Sequence, residues 1–171
     1  RQMAPVFSNS ALAVYEETDL KIAEQAMASN LKLLEGLLKS DPGNRELLLL
    51  TVQGFSGYAL GFAEDENPER ARILYKRARD YGLDLLRQNN TFARNEKADM
   101  DKFVNMLSSL KEKELAALFW TGFSWAGYVN LSLDDPAAIL ELPRVEAMME
   151  RVMELDSTYY YGGSQLFFGS L

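Results

Sequence analysis

A chain of 171 residues with 47% hydrophobic residues has enough apolar side chain for a sizeable core, which argues against disorder. Its 18 Lys and Arg against 25 Asp and Glu leave a net charge of −7, so a nucleic-acid backbone would be repelled and no nucleic-acid partner is expected. With no cysteine and no histidine it forms neither disulfides nor thiolate metal sites, and it lacks the commonest general base and any Ser-His chemistry.

From Asp19 onward, Leu20, Ala23, Met27, Leu31, Leu34 and Leu38 recur at helical spacing, and Asp41-Pro42-Gly43-Asn44 stops the pattern as a turn. Residues 47–63 then carry no charge and predict a helix that is apolar all round, hence buried. Within it Gly54, Gly57 and Gly61 form a small-residue stripe against which a neighbouring backbone is expected to pack closely. After the acidic turn Glu64-Asp65-Glu66-Asn67, a helix opens at Pro68 and places Ala71, Leu74, Tyr75, Ala78, Gly82 and Leu85 on one face. Its other face is basic, with Arg70, Arg72, Lys76, Arg77 and Arg79. The polar residues 88–97 read as a linker, and a shorter helix around 99–110 presents Phe103, Met106, Leu107 and Leu110.

Lys111-Glu112-Lys113-Glu114 leads into a second charge-free helix over 115–133, which ends near Asp134-Asp135-Pro136. A brief segment follows before Pro143 opens an amphipathic helix aligning Val145, Met148, Met149 and Val152. Asp156-Ser157-Thr158 caps a last predicted helix that contains Tyr159-Tyr160-Tyr161-Gly162-Gly163 and Leu166-Phe167-Phe168. That helix reaches Leu171 with no stop signal, and no signal peptide is visible at Arg1, which together predict a fragment lacking an export signal before it and helices after it. Tyr159 to Phe168 should then be partly uncovered, or covered by a neighbouring molecule.

Gly54-Phe55-Ser56 recurs as Gly122-Phe123-Ser124, 68 residues on, and Pro68 recurs as Pro136 at the same offset. The offset is twice the roughly 34-residue period of tetratricopeptide (TPR) helix pairs, but it spans a pair plus the 99–110 helix and a linker, so the repeat is degenerate. The expected fold is all-α: antiparallel helix pairs in a degenerate TPR-like helical repeat, one domain over 1–171.

The run Leu31-Lys32-Leu33-Leu34-Glu35-Gly36-Leu37-Leu38, the Asp41 turn and Glu69-Arg70-Ala71-Arg72-Ile73-Leu74-Tyr75-Lys76-Arg77-Ala78-Arg79 resemble the T component of TRAP transporters, the TatT family. Leu118-Phe119-Trp120-Thr121-Gly122-Phe123-Ser124-Trp125, Leu142-Pro143-Arg144-Val145-Glu146-Ala147 and Met153-Glu154-Leu155-Asp156 resemble its later helices in the same order. The similarity implies a non-catalytic, periplasmic, lipid-anchored, TPR-like protein that forms a homotrimer and docks the periplasmic solute-binding protein of a TRAP transporter. Hydrophobic pores in that family imply passage of a ligand. This chain departs from the pattern in having no anchoring cysteine and in ending where the family continues into further helices.

Trp120 and Phe123 lie three apart on one stripe of the second charge-free helix, and Trp125 and Tyr128 on a neighbouring one. A stripe of this kind either lines a channel, with Thr121, Ser124 and Asn130 as orienting polar groups, or packs as core. Tyr159, Tyr160 and Tyr161 cannot all point inward from a helix, so at least one phenol should face solvent, a cavity or a partner. Arg72, Lys76 and Arg79 form a face that would attract an organic acid or an acidic partner, or else a solvated face paired with Glu69, Asp80 and Asp84. The acidic clusters at 64–66 and 134–135 sit at helix ends beside a proline, where capping accounts for them, and neither has calcium-loop spacing. No cofactor or metal is therefore expected.

Length alone makes 115–133 a candidate membrane span, but its polar residues and amphipathic neighbours favour a covered core. The functional expectation is an accessory of a solute uptake system offering a channel for a small apolar or organic-acid ligand. The alternatives are a stand-alone TPR-like adaptor that binds a peptide, and an enzyme working through carboxylates, Tyr, Lys or Arg, for which no convergent set is evident.

Overall fold

Most of the helices start where the sequence supplies a side-chain acceptor for the N–H groups of the first turn. The structure, a computed structural model, describes residue 9, residues 12–14, residues 16–161 and residue 163. The expected run Leu166-Phe167-Phe168 and Leu171 lies outside them. The helices are α1 (Leu20–Ser40), α2 (Arg45–Tyr58), α3 (Pro68–Leu86), α4 (Asn90–Asn95), α5 (Met100–Ser109), α6 (Leu115–Asn130), α7 (Pro136–Ile139) and α8 (Leu142–Leu155). Asp19 accepts from Lys21 N at 2.9 Å, Asn44 from Leu47 N at 3.1 Å, Asn67 from Arg70 N at 3.0 Å and Asp99 from Lys102 N at 3.0 Å, so each satisfies an N–H without an intrahelical partner. No strand occurs among the described residues, and the fold is all-α.

Successive long helices pack antiparallel. Tyr58 at the end of α2 donates to Glu24 in the first turns of α1 at 3.0 Å and accepts from Arg70 at the start of α3 at 3.0 Å, tying three helix ends together. Between α3 and α6 the close pairs are Gly82 with Thr121 and Tyr75 with Gly127, which run in opposite senses. Between α6 and α8, Gly122 meets Met149 while Trp125 donates to Glu141, again in opposite senses. The core is centred on α3 and α6, with Tyr75, Phe119, Leu118, Met148 and Met149 almost completely excluded from solvent.

Several sequence expectations need correction. Residues 88–97 are not a bare linker: Asn89 caps the short helix α4, and Phe92 anchors it in the core with its ring 6.4 Å from that of Phe103. One aromatic in a polar stretch leaves no periodicity to read, which is why the helix was not evident. The first charge-free segment is α-helical only to Tyr58 and continues as a π-helical turn, Ala59–Ala63. The second is helical for 16 residues, not 19, because a turn begins at Leu131. Among the described residues no helix is long and apolar enough to cross a membrane.

The glycine stripe is not a backbone seam either. A Cβ on Gly54 would lie 2.6 Å from the Leu31 side chain, whereas one on Gly61 would meet nothing within 4 Å. The two copies of the repeat also diverge: Pro136 opens only the four-residue α7, and the amphipathic helix begins at Leu142. Gly54 packs against the helix before it and Gly122 against the helix after it. Beyond the cap that Asp156 gives to Thr158 N, at 2.9 Å, Tyr160 and Tyr161 adopt φ of 48° and 58°. This left-handed backbone costs about 1–2 kcal/mol per residue. Edge contacts of the Tyr160 ring with Trp120 at 4.7 Å and of Tyr161 with Tyr160 at 5.8 Å, each worth about 0.5–1.5 kcal/mol, offset part of it.

Candidate functional site

Adjacent residues on α6 open onto two different cavities. Phe119 and Phe123, four apart on one face, wall a groove of about 610 Å³ that also takes in Leu60 from the π turn, Tyr75 from α3, and Asn130. Trp120, turned to the other side, closes a cavity of about 260 Å³ between α1 and α2, lined by Met27, Leu31 and Leu34 with the amides of Asn30 and Gln53. Tyr160 borders both, its ring 5.4 Å from Phe119 and 4.7 Å from Trp120. Both volumes are walled mainly by apolar side chains, as in pockets that bind small molecules.

The groove has one charged lining residue among those described, Glu64. The π turn positions it: Glu64 N–H reaches back five residues to Ala59 O at 2.9 Å, and the carboxylate accepts from the Tyr75 hydroxyl at 2.6 Å. Burial, and then the hydrogen bond to Glu64, push the Tyr75 phenol far above its ordinary value, so it stays a donor. Glu64 is thus not a cap, as the acidic cluster suggested; Asn67 does the capping.

The Trp125 and Tyr128 stripe faces elsewhere. The Arg79 guanidinium lies over both rings, 5.5 Å from the Trp125 centroid and 4.8 Å from that of Tyr128, and pairs with Glu141 at 3.0 Å. Glu141 also accepts from the Trp125 indole N–H. Arg72 bonds Glu69 at 3.1 Å, and Lys76 sits over the Tyr128 ring at 5.8 Å. The three cations named from the sequence are therefore each engaged by an anion or a ring, and Asp84 pairs with Arg87, not with them.

The three tyrosines part company. Tyr159 packs on Phe119 at 5.2 Å, Tyr160 is 50% exposed between the two cavities, and Tyr161 is 96% exposed at the groove's edge. Asn130 is exposed at the rim. Phe119, Tyr75 and Glu64 were missed as site residues. Phe119 stands one turn before Phe123 on the same face, a signal that was present, whereas Tyr75 reads as core and Glu64 as a turn until α3 and the π turn are brought together. Among the described residues no group of three or more Asp or Glu could hold a metal ion.

No curated protein matches the chain by sequence. Residues 16–171 match the model of the TRAP transporter T-component family, over the same helices that carry the groove and the smaller cavity, and the chain belongs to that family.

Proposed function

We propose that this T component, an accessory of a TRAP transporter, docks the periplasmic substrate-binding protein of that system and offers an apolar channel through which a ligand is exchanged. The observation that carries the channel is Tyr160, one ring that borders two apolar cavities of about 610 and 260 Å³. A change in its rotamer would join them. The docking face is the groove's rim, where Leu60, Leu133 and Tyr161 are exposed large apolar side chains. Contiguous apolar surface around a cleft is what a protein partner covers. On this reading the chain performs no catalysis, is periplasmic and lipid-anchored in its full form, and works as one TPR-like domain.

Calorimetry against the substrate-binding protein encoded beside it tests the docking. Association weakened about tenfold or more by Tyr161→Ser or Leu133→Ser is expected, because an exposed aromatic at an interface centre commonly contributes about 1–2 kcal/mol or more. No association of the wild-type chain with that protein would refute docking and favour an adaptor of other peptides. Tyr160→Ala should join the cavities and raise uptake of an environment-sensitive apolar dye. Unchanged dye binding would refute the channel.

A further inference from the structure

We propose that Glu64 makes the aromatic groove selective for apolar amines, molecules with an ammonium head and a hydrocarbon body, and against the matching carboxylates; this rests on the reading of the groove as the ligand site. Glu64 is half-buried and is the one charged residue lining the groove among those described. It takes part in no ion pair among the described residues, since the cations nearest in sequence are committed elsewhere: Arg70 to Tyr58, Arg72 to Glu69, and Lys76 to the Tyr128 ring. Tyr75 occupies Oε2 at 2.6 Å and leaves Oε1 without a donor among the described residues. A carboxylate held in this way is a preformed acceptor for an N–H donor carrying positive charge.

The walls favour the same chemistry. Phe119, Phe123 and Tyr160 present aromatic rings to the groove, and ring faces attract ammonium groups more strongly once water is excluded. A ligand carboxylate would meet the opposite conditions: no Lys or Arg lines the groove or the smaller cavity, so it would lose hydration without a counter-charge and face Glu64 as a like charge. The smaller cavity has no charged lining residue and offers only the neutral amides of Asn30 and Gln53 as polar groups beside the Trp120 indole, which suits the hydrocarbon part. On this proposal the organic acid is the disfavoured member of the ligand classes the sequence left open.

The test is calorimetric titration of the full chain with three probes of equal chain length, octylamine, 1-octanol and octanoate, at about pH 7, where the amine is charged, and about 0.15 M salt to screen the overall acidity. Octylamine should bind about tenfold more tightly than octanol, and octanoate most weakly. Glu64→Gln retains the acceptor for Tyr75, and it should bring octylamine down to the level of octanol while octanol is unchanged. Asp65→Asn, which removes the neighbouring exposed carboxylate, should change none of the three. Octanoate binding as tightly as octylamine, or an octylamine affinity indifferent to Glu64→Gln, overturns the selectivity while leaving the groove a ligand site. Binding of none of the probes overturns the ligand-site reading itself.

Discussion

A Cβ on Gly82 would lie 2.2 Å from Thr121 Oγ1 and 2.9 Å from Thr121 Cβ, so α3 and α6 meet there with no room for a methyl group. Gly82→Ala should destabilise the protein by about 1–3 kcal/mol despite alanine's better helix propensity, because neither buried helix can withdraw cheaply. Gly36 in α1 has nothing within 4 Å of such a Cβ, and Gly36→Ala should stabilise by about 0.5–1 kcal/mol. Urea denaturation of the two variants distinguishes them, and equal signs would contradict the packing. Titration adds a second residue-scale prediction. Burial, and then donation to Glu35 at 2.8 Å, push the Tyr81 phenol up from 10.0 to about 12. The folded chain keeps this proton where the unfolded chain has lost it, so the stabilisation is complete below pH 10.0 and is lost as pH rises toward about 12. Tyr81→Phe should flatten that alkaline limb in a stability-versus-pH series. Glu35 acts in the opposite limb: burial works to raise it, but Lys32, Tyr81 and Arg77 hold its carboxyl below 4.5. Its contribution is present above 4.5 and is lost as pH falls through the folded value.

At the scale of elements, the segment least legible in the sequence proves firmly fixed. Phe92 is buried, Asn89 donates to the buried Glu114 at 3.2 Å, and the Arg144 guanidinium reaches back to the carbonyl oxygen of Glu96 at 2.9 Å. Phe92→Ala should cost about 3–5 kcal/mol. It should also raise amide hydrogen exchange in α4 and α5 well before α2, since α4 packs chiefly on α5. Exchange rising uniformly across the chain would show that α4 is no separate anchor. The π turn is the other element that the sequence concealed. Residues 59–63 are as apolar as the helix before them, and only the five-residue hydrogen bond from Glu64 to Ala59 turns Leu60 and Glu64 toward the groove.

At the scale of the whole molecule, the antiparallel order α1, α2, α3, α6, α8 leaves the aromatic face of α6 covered at one stripe and open at the other. Whether the chain forms the trimer implied by the family resemblance is measured by multi-angle light scattering over a range of concentrations. A mass fixed at the monomer's 19.3 kDa up to high concentration would count against the trimer.

The sequence by itself determined the long helices: recurrence of apolar positions at helical spacing, the asparagine and aspartate caps and the prolines at first turns are local features, and local hydrogen bonding decides them. It also determined that α6, with no charged face to give to water, would be central. That the other central helix is the amphipathic α3, packed between α2 and α6, and not the first charge-free segment, was decided by the tertiary structure. Only the tertiary structure decided which side of α6 is core and which is groove. Trp120, Phe123, Trp125 and Tyr128 are equivalent as apolar aromatic residues on a helix. The partner each receives separates them: Arg79 and Glu141 cover Trp125, whereas Tyr160 borders a cavity beside Trp120 and the groove beside Phe119. Glu64 and Tyr75, eleven residues apart, meet because a turn of π-helix and the antiparallel return of α3 bring a surface carboxylate against a core phenol, and no spacing rule in the sequence encodes that distance.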